Sequence, residues 1–229
     1  MILSRTSLMA GLAMLALGLL AQPAQADFTI NLNQVATGDT PSGSAPWLTA
    51  TFVDTAPGVV TLTLTSNLTA NNFLQGSANN MAWLFNFNPD LDASDLTITY
   101  VSGVAAVSPI TQENNGATLS PFDAFDIGFY WSSQNRFEEG DTAVYTFSMA
   151  GLTAADFQFA NGDGYYSAAH IQGTSGTAGS SKIYGDEYII EPEVGAVPAP
   201  AGLILAVIGV ASLGSVGLRR RLRGEPVAA

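Results

Sequence analysis

The chain contains no cysteine. Disulfide staples, thiolate nucleophiles and cysteine-based zinc sites are thereby excluded. Histidine occurs once, at His170, and a single imidazole cannot assemble a zinc site alone. Positive charge is scarce: 7 Lys and Arg stand against 19 Asp and Glu in 229 residues, a net charge of −12. Such a balance repels nucleic acid, and no phosphate-binding loop or nucleic-acid motif offsets it. The Gly-x-Ser-x-Gly elbow of serine hydrolases is missing as well. Glu138, Glu139 and Asp141 crowd one turn, where they cannot face each other across a sugar ring as paired glycosidase carboxylates must. We therefore expect no catalysis.

What the chain does have is concentrated at its ends. Met1–Ser7 carries one positive charge, Arg5, and Leu8–Ala21 is apolar. Ala24-Gln25-Ala26 then offers the small residues signal peptidase accepts, with Asp27 as first mature residue. At the other end Ala201–Leu218 holds 18 residues without charge. As a helix it reaches roughly 27 Å, enough to span a thin hydrocarbon core. Arg219, Arg220, Arg221 and Arg223 follow, and the positive-inside rule keeps that end cytoplasmic while everything before Val197 is exported. The predicted organisation is a signal peptide over 1–26, an exported domain over 27–190 and a Pro-rich linker over 191–200. A transmembrane helix over 201–218 and an arginine-rich tail over 219–229 complete it.

Val197, Pro198, Ala199 and Pro200 immediately precede the apolar run. A short Pro-bounded motif, a membrane-length segment and an arginine cluster, in that order, resemble the sorting signal of PEP-CTERM proteins. Two further segments, Gly151–Phe157 and Ala168–Gly173, are similar to stretches common in the exported domains of that family. The resemblance implies a Gram-negative bacterium that makes exopolysaccharide. It also implies an exosortase, a membrane-embedded cysteine protease-transpeptidase that cuts near the motif. Ala199 stands where the family motif usually has Glu, and Gly224–Ala229 extends past the arginines. These departures point either to a variant sorting enzyme or to retention in the inner membrane.

Removing the signal and the tail leaves 18 acidic residues and only two basic ones, Arg136 and Lys182, so the exported part is near −16. Within it, period-two alternation recurs, most cleanly in Val60-Thr61-Leu62-Thr63-Leu64-Thr65. Similar runs cover 28–33, 48–53, 81–87, 96–101, 127–131, 143–149, 165–171 and 183–190. Gly, Asn, Asp and Pro clusters separate them, including Glu113-Asn114-Asn115-Gly116. The pattern predicts an all-β fold, an antiparallel β-sandwich of jelly-roll-like type. Only Thr153–Phe157 looks helical, as one turn capped by Thr153.

Two ligand sites suggest themselves inside this domain. Asp90, Asp92 and Asp95, and separately Asp163 between Gly162 and Gly164, are oxygen-rich turns of the kind that can hold a structural calcium ion. No other cofactor is expected. Trp47, Trp83 and Trp131, with Tyr130, Tyr165 and Tyr166, supply aromatic faces that either stack on sugars or fill the core. The expected function is that of an exported envelope or matrix protein, associated with exopolysaccharide and biofilm. It would be anchored transiently in the inner membrane and then delivered to envelope, matrix or medium. The alternative is a carbohydrate-binding module for the organism's own polysaccharide.

Overall fold

A computed structural model describes residues 27–190 apart from Pro109. The expected signal peptide with Ala24 and Ala26, the Val197–Pro200 motif, the apolar segment and the arginine cluster lie outside the described residues. Among the described residues no helix is long and apolar enough to cross a membrane.

The alternating runs become strands of two antiparallel sheets. Sheet A contains β1 (Asp27–Leu32), β3 (Leu48–Ala56), β4 (Val59–Ser66), β7 (Thr97–Gly103), β10 (Thr142–Ser148) and β13 (Tyr188–Ile190). Their order is β13-β1-β3-β4-β10-β7. Sheet B contains β2 (Gln34–Gly38), β5 (Phe73–Leu74), β6 (Trp83–Phe85), β8 (Thr111–Ala117), β9 (Phe125–Phe129), β11 (Ser167–Gln172) and β12 (Ser180–Gly185). Its order is β2-β12-β11-β6-β9-β8, with β5 added to β11.

One core joins the two inner faces. Phe28, Phe52 and Leu62 from sheet A are buried in the same cluster as Phe85, Phe129 and Ile171 from sheet B. Phe52 meets Phe85 edge-on with ring centroids 5.6 Å apart, and Phe129 meets Tyr145 at 5.0 Å. Burial in β4 alternates strictly, with Val60, Leu62 and Leu64 inward. The intervening threonines form rows across sheet A, because Thr29 pairs with Thr51 and Thr51 with Thr63. Two of these hydroxyls, on Thr29 and Thr51, lie 2.9 Å apart. The outer face of sheet A is thus rich in hydroxyls, with Ile189 exposed beside Thr29 at its β13 edge.

The expected helix-like turn is a 3-10 turn over Ala154–Phe157, and a second 3-10 turn, not expected from the sequence, spans Ala93–Asp95. The Thr153 backbone N–H and hydroxyl both donate to the Asp156 carboxylate, at 2.9 and 3.0 Å. Two expectations need correction. The run over 183–190 is two strands, since the chain leaves sheet B at Gly185 and joins sheet A as β13. And Glu113–Gly116, expected as a turn, lies inside β8. There it forms a wide irregularity opposite β9, with pairing broken between Gln112 and Ala117. Asn115 takes a left-handed backbone at φ 57°, and its N–H donates to Asp126 Oδ1 at 2.7 Å. A bulge of this kind satisfies its backbone through a side chain where the ladder cannot.

Candidate ligand-binding face

Trp83 and Trp131 are 0% exposed and Trp47 is 6% exposed. The proposed sugar-stacking platform is therefore overturned: these rings are core, and no face of Trp83 or Trp131 meets solvent. Trp83 stacks near Phe85 and donates through Nε1 to Ser167 Oγ at 3.0 Å. Trp131 stacks on Phe137 at 4.7 Å and donates to the Val104 carbonyl at 3.0 Å.

The acidic turns are occupied by backbone duties. Asp92 Oδ1 accepts from both the N–H and the hydroxyl of Ser94, and this pair of bonds holds its carboxyl below the usual carboxylate range. The Asp90 N–H donates to Asn88 Oδ1, and Asp95 closes the same short turn. Asp163 lies in another place, where its Oδ2 accepts from the Asp123 N–H at 2.7 Å. Among the described residues no three His, Asp or Glu side chains come together as a metal ligand set. The four candidate aspartates therefore share no coordination sphere.

What does converge lies on the outer face of sheet B. On β11, Ala169 and Ile171 enter the main core, so Ala168, His170 and Gln172 point the other way. Their partners across β12 are Tyr184, Lys182 and Ser180. On the opposite side of β11, Phe73 of β5 pairs with Gln172. The Arg136 guanidinium lies over the Phe73 ring, 3.9 Å from its centroid, and its Nε donates to Gln75 Oε1 at 3.1 Å. Gln172 Nε2 in turn donates to the Gln75 carbonyl at 2.8 Å. The two basic residues left to the domain, 46 positions apart in sequence, thus share one face. Neither makes an ion pair among the described residues.

Toward the other end the same face becomes aromatic. Met81, Leu84, Ala117, Leu119, Phe125 and Ala168 form a second small core there, covered by the segment that links β8 to β9. Gly128 makes the cover possible: a Cβ on it would lie 2.7 Å from Met81 Cγ and 3.0 Å from the Ala117 Cβ. At the rim, half-buried Tyr165 and Tyr184 approach to 4.2 Å, with Phe122 edge-on to Tyr165 at 5.6 Å. Loss of hydration, then Tyr165 and Asp186, push the Tyr184 phenol above its ordinary range, so it remains a neutral donor. Tyr165, considered for stacking, is thus part of this rim, and Asp163, considered for calcium, lies two residues before it against the Asp123 N–H.

His170 occupies the middle of the face, half-buried, with Nδ1 buried and unpartnered. Burial first and the Lys182 ammonium second hold its imidazole below the ordinary 6.5. The unfolded chain therefore takes up more protons than the folded one as pH falls below that value. The stability from a neutral His170 is complete above pH 6.5 and is lost as pH drops toward and through the lowered folded value. Denaturant midpoints measured across this window should slope downward with acid, and His170→Gln should flatten that slope. An unchanged slope in the variant would assign it to carboxylates.

No protein family, curated protein or solved structure matches the chain. Functional inference consequently rests on the residues themselves.

Proposed function

We propose that residues 27–190 are the exported, non-catalytic domain of a Gram-negative envelope or extracellular-matrix protein. In this reading a signal peptide delivers the domain, and an exosortase-type enzyme handles it through the C-terminal tail. The observation that carries the reading is the order Val197–Pro200, Ala201–Leu218, Arg219–Arg223. Together these segments present an extended Pro-bounded stretch, a membrane-length apolar stretch and a topology-setting cluster.

The fold supports it in two ways. Phe28, the second residue after the proposed cut at Ala26, is fully buried, so cleavage there would leave this core side chain in place. And Phe28 pairs with Ile190, so the chain enters and leaves the sandwich side by side on one edge of sheet A. Repeated passage of the chain between sheets, as from β9 to β10 to β11, supports the jelly-roll-like winding.

Intact-mass measurement of the protein recovered from producing cells tests the processing. The expected product starts at Asp27 and ends near Val197–Pro200. A product that still reaches Ala229 would sink the cleavage claim and leave plain anchoring. A second reading, a carbohydrate-binding module, is favoured by the mixed aromatic, amide and cationic surface of sheet B.

A further inference from the structure

We infer that the outer face of sheet B binds an acidic polysaccharide laid along β11 and β12. Lys182 and Arg136 each take one carboxylate, and the Tyr184–Tyr165 rim packs against a sugar ring. This deepens the binding-module reading and rests on it.

Three observations support the inference. First, the described residues carry 16 acidic side chains and two cationic ones, and both cations are on this face. A surface that repels anions everywhere else offers them one place. Second, among the described residues neither cation is ion-paired with a carboxylate. Arg136 is held in position by the Phe73 ring and by the bond from its Nε to Gln75, which leaves the terminal nitrogens of its fork to face a ligand. Third, the spacing suits a sparsely charged chain. Lys182 and Phe73 flank β11 on opposite sides, at positions two residues apart along it. Strand geometry puts about 12 Å between those positions. That is nearer the repeat of a disaccharide than of one sugar. Nucleic acid, with a charge every 1.7 Å or so of duplex, would bring many more phosphates against the surrounding carboxylates. Between the two cations the face offers the Gln172 amide and the His170 ring, and at its far end an aromatic rim. Amide hydrogen bonding combined with ring packing is what a sugar chain uses and a simple polyanion does not.

The test uses the full chain in mild non-ionic detergent, immobilised, with three soluble probes. These are half-esterified polygalacturonate, its fully methyl-esterified neutral form, and polyglutamate. The half-esterified chain should bind, more weakly as salt rises. The double variant Lys182→Ala/Arg136→Gln should lose about tenfold in affinity at low salt. Lys182→Ala alone should lose about threefold, with Lys182→Arg restoring most of it, and this pair decides the matter if Arg136→Gln does not fold. Equal binding of the neutral form would overturn the acidic-ligand inference and leave the binding module standing. Equal binding of polyglutamate would overturn the glycan assignment. No binding by any probe would overturn both.

Discussion

Replacing Trp131 with alanine should lower the unfolding free energy by about 3–5 kcal/mol, the cost of deleting a large aromatic from a closed core. The side chain is 0% exposed, and its ring is stacked between Phe137 and Phe129. Its Nε1 also satisfies the Val104 carbonyl, which the variant leaves without that donor. A domain of this size has roughly 5–15 kcal/mol to lose, so the variant should be partly unfolded at moderate temperature. Trp131→Phe keeps the stacking and drops the hydrogen bond, and should cost about 1–3 kcal/mol. Denaturant titration followed by far-UV circular dichroism measures both. A loss under about 1 kcal/mol for the alanine variant would mean that this core is not closed around the indole. It follows that loss of ligand binding in such a variant would report unfolding. The binding surface must be probed at Lys182 instead.

The fate of that tryptophan shows where sequence and fold part. Alternation placed Trp83 and Phe85 on one side of their strand, and the structure keeps them together. Alternation does not say which side faces a second sheet, because that depends on packing partners far away in the chain. Threonine-rich β4 was legible because its two faces differ so sharply in polarity. β2, Gln34–Gly38, was not, because an edge strand with one neighbour needs no apolar face. Glu113–Gly116 looked like a turn because Asn-Asn-Gly favours left-handed backbone, and Asn115 does adopt it. What the local pattern could not show was a carboxylate eleven residues on that keeps the segment in the sheet. The cationic face was hidden for the same reason. Arg136 and Lys182 meet only through the register of β5, β11 and β12. The rarity of positive charge is the one feature of the sequence that sets these two residues apart.

Asp126→Ala should be the second most damaging change, costing about 2–4 kcal/mol. Its two carboxylate oxygens have separate tasks. Oδ1 accepts from the Asn115 N–H in the bulge of β8, and Oδ2 accepts from the Phe87 N–H just beyond β6, each at 2.7 Å. One side chain thus joins both neighbours of β9, where the ladder to β8 is interrupted and the ladder to β6 has ended at Phe85. Alanine leaves the partly buried Phe87 amide unpaired and gives the exposed Asn115 amide to water, and charge-assisted bonds of this length are among the stronger ones. Asn at this position retains one acceptor and should recover about half of the loss. The damage should be local before it is global. The cover over Met81, Leu84 and Ala168 is carried by the segment from Ala117 to Phe125, which the bulge anchors at its start. Amide hydrogen exchange should therefore accelerate first at Asn115, Phe87 and across 116–125, while β3 and β4 stay protected. Uniform acceleration through both sheets would show that Asp126 supports the whole sandwich and not this cover alone. With the cover loosened, the aromatic rim of Phe122, Tyr165 and Tyr184 loses its support, whereas Lys182 and Arg136 keep theirs. A glycan contact that depends on the rim should then weaken without losing its salt dependence. That outcome separates the ring-packing part of the face from its charged part.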